Sequence, residues 1–312
     1  MTPFAFVFPG QGSQAVGMLD AWGDHPAVQA TLAEASEALG ENLGQLIQQG
    51  PKEQLDLTAN TQPVMLTAAV ACYRAWRAEG GAQPAAVAGH SLGEYSALVV
   101  AGALSLAQAV PLVRLRAQAM QEAVPVGVGA MAAILGLEAA AVVQGCREAA
   151  AASGEVVEAA NFNDPKQIVI AGTVAGVNAA CERLKAAGAK RALLLPVSAP
   201  FHSSLMKPAA ERLKQALQDV NIAAPTLPVV NNIDVAAPTG ADDIRDALYR
   251  QAFGPVRWTE VVAALQARGL GTVIECGPGK VLSGMVKRIS PELNTLTLCD
   301  PASLAQTKEM LS

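Results

Sequence analysis

Residues 85–94 run Ala-Ala-Val-Ala-Gly-His-Ser-Leu-Gly-Glu. Small apolar residues typical of a buried strand lead into a G-x-S-x-G pattern, and a helical pattern follows. Gly89 and Gly93 lack the Cβ atoms that would clash in a sharp strand-to-helix turn. Such a turn lifts the Ser91 hydroxyl to a helix N-terminus, where the Leu92 N–H can meet an oxyanion. The stretch predicts a nucleophile elbow, and its context disfavours the alternative of a serine that only caps a helix.

A serine hydroxyl needs a base within hydrogen-bond reach to become a good nucleophile. The chain has three histidines. His90 is adjacent to Ser91, and because neighbouring side chains on an elbow diverge, a packing role is favoured. His25 lies in a polar turn, which favours a surface position. His202 follows a predicted strand at the start of a predicted helix, a place typical of α/β active sites, so we predict His202 as the base. The alternative is that His202 only makes a contact at the N-terminus of this helix.

A further residue should orient the histidine. Triad hydrolases place a carboxylate behind it, and Asp234 follows a predicted strand. The Asn231–Asp234 segment is equally consistent with a turn, so the third member stays open.

Two arginines, Arg114 and Arg116, lie in an otherwise apolar helical stretch. Residues two positions apart on a helix face different directions, so one of them can point inward. A buried guanidinium needs an anion, and its planar fork suits a carboxylate. The spacing alone slightly favours the alternative that both are solvated or paired with helix neighbours.

The glycine-rich segment Phe8–Gln14 follows the first predicted strand. Its backbone N–H groups can complete an oxyanion hole. A phosphate-binding loop is disfavoured because no G-K-[ST] follows.

Strand and helix patterns alternate along most of the chain, which predicts an α/β sheet with helices on both faces. The predicted buried strands are 4–8, 85–88, 193–197, 228–230 and 272–275. The clearest predicted helices are 61–79, 106–122, 203–219 and 240–253.

Between about Gly127 and Val197 the order becomes βαββαβ, which is the ferredoxin-like pattern. The predicted elements there are 130–137, 138–152, 156–161, 167–171, 174–187 and 191–197. We therefore expect a hydrolase-like, mostly parallel α/β body formed by residues 1–126 and 199–312, interrupted by a ferredoxin-like small domain of residues 127–198. A cleft should lie between them.

Composition excludes several classes of protein. Of 312 residues, 51% are hydrophobic and 16% charged, which disfavours disorder and coiled coils. The net charge of −5, without any like-charge block, disfavours nucleic-acid binding.

Two uncharged stretches, 1–19 and 95–113, are interrupted by glycine and proline and do not fit export or membrane segments. Five cysteines without a C-x-x-C pair fit a reducing compartment, so we expect the cytoplasm, and no ligand set predicts a metal.

The joint pattern of motifs resembles the bacterial malonyl-CoA:acyl carrier protein transacylases of fatty-acid synthesis over essentially the whole chain. Five segments occur along the chain in the same order as in this family: Phe8–Gln14, Gly89–Glu94, the arginine helix, Phe201-His202 and Glu275–Gly279. The family fold, a hydrolase-like body with an inserted ferredoxin-like domain, agrees with the element pattern.

The resemblance assigns roles position by position. Ser91 would be the acylated nucleophile, His202 its base, and Arg116 the clamp on the malonyl carboxylate. The histidine would be oriented by a main-chain carbonyl at Gln251 and not by an acid, which removes support from Asp234. Other implied contacts are the oxyanion-hole N–H groups of Gln11 and Leu92 and the substrate-binding residues Met120, Asn161 and Asn163.

The implied activity is a ping-pong transfer of malonyl from malonyl-CoA, through malonyl-serine, to the phosphopantetheine thiol of acyl carrier protein. No cofactor is implied, since malonyl-CoA is a substrate and phosphopantetheine belongs to the carrier. The resemblance also implies a monomer that binds neither nucleic acid nor membrane. Two rivals share parts of the pattern: a serine esterase or thioesterase, and a non-catalytic scaffold.

Overall fold

The computed structural model describes residues 3–197 and 199–311. The strands are β1 Phe4–Phe8, β2 Ala86–Gly89, β3 Gly129–Leu135, β4 Val157–Asp164, β5 Gln167–Thr173, β6 Arg191–Leu194, β7 Val229–Val230, β8 Thr272–Cys276 and β9 Asn294–Leu298. The α-helices are α1 Pro26–Leu39, α2 Leu43–Gln49, α3 Lys52–Leu55, α4 Thr58–Ala78, α5 Gly93–Val100, α6 Leu106–Glu122, α7 Ala139–Ser153, α8 Val174–Ala186, α9 Lys207–Gln218, α10 Ala241–Phe253, α11 Trp258–Ala267, α12 Val281–Ile289 and α13 Pro301–Leu311. Short 3₁₀ helices span Asp20–Trp22 and Ser204–Met206.

The larger sheet has the order β7-β2-β1-β8-β9, and every neighbouring pair is parallel. All five residues of β1 are buried. Phe6 packs on one face in the cluster that holds Trp76, while Val7 packs on the other in the cluster that holds Trp258. Helices therefore cover both faces, as a parallel sheet requires, and the predicted α/β class is confirmed. The sequence pattern missed β9 because this edge strand is only partly buried.

The smaller sheet has the order β4-β5-β3-β6, and its neighbours are antiparallel. With α7 and α8 it has the ferredoxin-like arrangement. The prediction of a buried strand over 193–197 is wrong. β6 ends at Leu194 as an edge strand of this sheet, and Leu193 and Leu194 are 47% and 62% exposed.

Backbone hydrogen bonds join the smaller sheet to a loop of the body. The Phe162 N–H donates to the Val256 carbonyl and the Val256 N–H donates to the Ala160 carbonyl, both at 2.9 Å. These bonds fix the end of β4 against the segment that leads into α11. The boundaries 1–126, 127–198 and 199–312 stay a prediction, and Ser198 lies outside the described residues.

Across residues 3–197 and 199–311, no helix combines the length and apolar character needed to span a bilayer.

Candidate active site

Ser91 lies in the tight turn between β2 and α5. Its φ of +52° is in the left-handed region that costs free energy for a residue with a side chain. A Cβ added to Gly89 would stand 1.9 Å from the Gly93 carbonyl carbon, and one added to Gly93 would stand 2.0 Å from the Phe8 oxygen. Both positions therefore need glycine, and the turn has the geometry of a nucleophile elbow.

Asn232 holds this turn. Its Oδ1 accepts the Ser91 N–H at 2.7 Å, and its Nδ2 donates to the Gly89 carbonyl at 2.7 Å. The residue is fully buried and follows β7 at the carboxyl edge of the sheet. These two bonds offset part of the cost of the strained Ser91 backbone.

His202 contacts the serine hydroxyl. Its Nε2 lies 2.7 Å from Ser91 Oγ, and its Nδ1 lies 2.9 Å from the Gln251 main-chain oxygen. A carbonyl can only accept, so Nδ1 carries the proton and Nε2 is left free to accept one. Burial, aided by the positive charge of Arg116 and by His90, lowers the pKa of His202 to about 3. The imidazole is therefore neutral at physiological pH, as a base must be.

Asp234 does not lie behind the histidine. Both of its carboxylate oxygens accept bonds from Arg250 at 2.7 Å, in a partly exposed ion pair. The Arg250 bonds keep the pKa of Asp234 below its ordinary value. The carboxylate candidate is wrong, because the Gln251 carbonyl occupies that place.

The two arginines of α6 face opposite ways. Arg114 reaches Glu41 with two bonds of 3.0 and 2.7 Å. Arg116 is 1% exposed and points to the site. The alternative that both are solvated or paired with helix neighbours is wrong.

The Arg116 guanidinium is surrounded by neutral acceptors. Nη1 donates to Gln62 Oε1 at 2.8 Å, and Nη2 donates to Gln251 Oε1 at 3.0 Å and to Ser91 Oγ at 3.2 Å. Nε has no acceptor in the described part of the chain. A buried cation bonded directly only to neutral groups favours binding of an anion next to the nucleophile.

A cavity of about 700 Å³ lies in front of Ser91, between the body and the smaller sheet. Within residues 3–197 and 199–311, the backbone N–H groups of Gln11 and Leu92 have no acceptor, whereas those of Gly93, Glu94 and Tyr95 donate to carbonyls three residues back. Gln11 and Leu92 line the same cavity as Ser91, and two such donors can stabilise an oxyanion formed there. The cavity lining includes every predicted substrate-binding residue: Arg116, Met120, Asn161 and Asn163.

Asn163 links the smaller sheet to the elbow. Its Oδ1 lies 2.8 Å from His90 Nε2, and the His90 ring packs 5.5 Å from the Trp258 ring centroid. Burial lowers the pKa of His90, so the ring is neutral and donates this bond. His90 thus has the packing role that its position predicted. His25 is partly exposed, with 15% of its side chain accessible, and its ring packs on Trp22 with centroids 5.6 Å apart.

Metal ligation has no candidate centre in the described residues: they contain no group of three or more histidine, cysteine, aspartate or glutamate side chains placed to hold an ion. That the protein uses no metal stays a prediction.

The acyl transferase domain family matches residues 5–298. The chain belongs to this family. It is 55% identical to the malonyl CoA-acyl carrier protein transacylase of Escherichia coli (strain K12) over 311 residues, which cover 99% of this chain and 100% of the relative.

Solved structures agree with this assignment to the acyl transferases. An acyl-carrier-protein S-malonyltransferase from Burkholderia pseudomallei 1710b is 61% identical, with a TM-score of 0.97, covering 98% of this chain and 99% of that one. A malonyl-transacylase solved in complex with a type II polyketide synthase acyl-carrier protein is 50% identical, with a TM-score of 0.97, covering 99% and 100%.

Sequence reasoning missed three polar residues of this acyl transferase site: Gln62, Glu94 and Asn232. Asn232 carries a weak signal, because a polar residue directly after a buried strand lies at the active edge of a parallel sheet. Glu94 lies inside the elbow motif and is 2% exposed. No sequence pattern marks Gln62 as a site residue, since it lies within a helix among buried apolar residues.

Proposed function

We propose that the protein transfers the malonyl group of malonyl-CoA to the phosphopantetheine thiol of acyl carrier protein through a malonyl-serine at Ser91, supplying fatty-acid chain extension. The observation that carries the proposal is the buried Arg116 guanidinium 3.2 Å from the Ser91 hydroxyl. A nucleophile with a cation beside it suits an acyl group that ends in a carboxylate. The names of the relatives support the same substrate and the same carrier.

Acylation starts with the 2.7 Å contact between Ser91 and His202. His202 Nε2 takes the hydroxyl proton while Oγ attacks the thioester carbonyl. The tetrahedral oxyanion accepts bonds from the N–H groups of Gln11 and Leu92. The carbon–sulfur bond then breaks, and the CoA sulfur takes the proton from His202. The products are malonyl-serine and CoA.

The second transfer runs the same steps with a different thiol. His202 takes the phosphopantetheine proton, the sulfur attacks the ester, and Ser91 Oγ leaves with the proton. Gln251 serves both transfers because its main-chain oxygen keeps the Nδ1 proton of His202 in place.

The remaining residues shape the acyl site. Arg116 exchanges its weak 3.2 Å bond to Ser91 for the malonyl carboxylate, which its fork can hold by parallel bonds. Met120, Asn161 and Asn163 line the cavity around the acyl chain and the thiol arm. The reaction needs no metal or organic cofactor, because every group that moves a proton or binds charge belongs to the chain. We also propose a cytoplasmic monomer with the domain boundaries given above.

The test is the mass of the intact protein after mixing with malonyl-CoA, followed by addition of holo acyl carrier protein. We expect one malonyl adduct on the wild type, none on Ser91→Ala, and discharge of the adduct onto the carrier. Acetyl-CoA serves as the acyl control. Loss of the adduct to water while the carrier is ignored would indicate a thioesterase, and the absence of any adduct would indicate a scaffold.

A further inference from the structure

Glu94 is a buried carboxylate that the two transfers described above do not use. It lies in the first turn of α5, three residues after Ser91, and is 2% exposed. Its Oε2 accepts the Asn232 main-chain N–H at 2.8 Å and the Gln251 side-chain Nε2–H at 3.0 Å. Glu94 thus contacts both residues that hold the nucleophile and the base in place.

The Gln251 side-chain amide joins two buried charges. Its nitrogen end donates to Glu94 and to the Ser91 carbonyl, and its oxygen end accepts from Arg116 Nη2 at 3.0 Å. An amide cannot be reversed in this position without placing N–H groups against the guanidinium. Glu94 therefore fixes the orientation of Gln251 and, one amide away, provides the counter-charge for Arg116.

A substrate carboxylate on Arg116 adds a second anion to this chain of charges. Charges that interact inside a protein are screened far less than at the surface. While Glu94 is ionised, one guanidinium serves two carboxylates. When Glu94 carries a proton, the substrate carboxylate has the cation to itself.

We propose that Glu94 is a positioning residue that makes the binding of a carboxylated acyl group depend on its own protonation. It orients Gln251 towards Arg116 in either state, and in its ionised state it weakens the hold of Arg116 on the substrate carboxylate. The inference rests on the proposed function, because it concerns the same acyl site.

The titration of Glu94 falls in the neutral range. Burial raises its pKa to about 7, with Asp234 acting in the same direction and the bonds from Gln251 and Asn232 and the charge of Arg116 acting against it. Asp234 is ion-paired with Arg250. The other titratable neighbours keep one state in this range: the pKa of His202 is about 3, that of Tyr95 is raised to about 12, and that of His90 is lowered.

Glu94 makes malonyl binding depend on pH. As the pH rises through about 7, Glu94 loses its proton and malonyl binding weakens, whereas acetyl binding involves no carboxylate and is unaffected. The experiment measures the half-saturating concentration of malonyl-CoA and of acetyl-CoA for formation of the Ser91 ester, between about pH 6 and about pH 8.5. For the wild type we expect a rise of about tenfold with malonyl-CoA and a change of less than about twofold with acetyl-CoA.

Glu94→Gln keeps an oxygen that can accept both bonds and removes the charge. We expect its malonyl-CoA value to stay low and flat across this range. Glu275→Gln is the matched control, because Glu275 is equally buried, its pKa is also raised by burial, and it accepts the Leu282 and Ser283 N–H groups instead of Gln251. It should keep the wild-type rise.

Several results overturn the inference. A rise that persists in Glu94→Gln, or one that appears equally with acetyl-CoA, removes the role of this charge. If Glu94→Gln does not fold, the wild-type comparison still decides, since a flat malonyl-CoA curve contradicts the proposal. A wrong proposed function would give a different result, because the wild type would then form no malonyl ester at any pH.

Discussion

The two sheets of this molecule contribute unequally to the site. The parallel body sheet places Ser91 and Asn232 at the carboxyl ends of neighbouring strands, and its helices add Arg116 and Gln251. Ser91, Arg116 and Gln251 each make two or more hydrogen bonds within the group, and Asn232 makes one, to Ser91. The antiparallel sheet contributes Asn163, which makes a single bond to His90, and an apolar wall of the cavity. The body thus holds the reacting groups, and the smaller sheet shapes the space in front of them.

The largest expected effect is in the body. Arg116→Ala removes the donors for the malonyl carboxylate, and bonds from a charged group contribute about 1.5–3 kcal/mol each. We expect kcat/KM for malonyl-CoA to fall at least about a hundredfold and that for acetyl-CoA to fall much less. The two values, measured for ester formation on Ser91, give the comparison.

Arg114→Ala is the matched control for this change. Arg114 lies on the same helix but pairs with Glu41 away from the cavity. Its loss should leave the ratio of malonyl to acetyl activity unchanged. Equal losses with the two substrates in Arg116→Ala would refute the carboxylate clamp.

An intermediate effect is expected from the smaller sheet. Asn163→Ala removes the acceptor of the His90 Nε2–H, a neutral bond that contributes about 1 kcal/mol. We expect esterification of Ser91 to slow about fivefold, by a similar factor with malonyl-CoA and acetyl-CoA, in single-turnover measurements. A loss as large as that of Arg116→Ala would mean that the smaller sheet takes part in the chemistry itself.

The smallest effect is expected where the two regions meet. Arg288 of α12 donates to Asp164 of β4 at 2.6 Å, and Arg288 is about half exposed whereas Asp164 is buried. Arg288→Ala should lower the free energy of unfolding by about 1 kcal/mol in urea titration. Because the backbone bonds between Phe162, Val256 and Ala160 remain, transfer should change less than about twofold. A large loss of transfer with little change in stability would show that this ion pair sets the shape of the cavity.

Sequence reasoning worked best where a single local feature is sufficient. The helix over 106–122 and the strand over 4–8 have the predicted bounds, because buried apolar runs end at clear capping or turn residues. It failed at edges: β9 went unpredicted, and the strand predicted over 193–197 proved short and exposed. An edge strand lacks the continuous burial that makes a strand visible in a sequence.

The same limit applies to the site. The Ser91 elbow was predictable from adjacent residues and the His202 base from its place after a predicted strand, whereas the resemblance to acyl transferases supplied the roles of Arg116 and Gln251. Helical periodicity alone could not show whether Arg114 or Arg116 points inward, because either position can face the core of an α/β body. Glu94 and Asn232 were overlooked because their partners are 157 and 141 residues away in the sequence.

The sequence by itself determined the α/β class, the βαββαβ insertion and the glycine-flanked serine, because each depends on periodicity or on the absence of a side chain at a turn. Only the tertiary structure decided which arginine is buried, that a carbonyl and not Asp234 orients His202, and that one amide links Glu94 to Arg116. Those outcomes depend on which polar and charged groups the fold brings together in its interior. Such contacts join residues distant in the chain, and no local pattern encodes them.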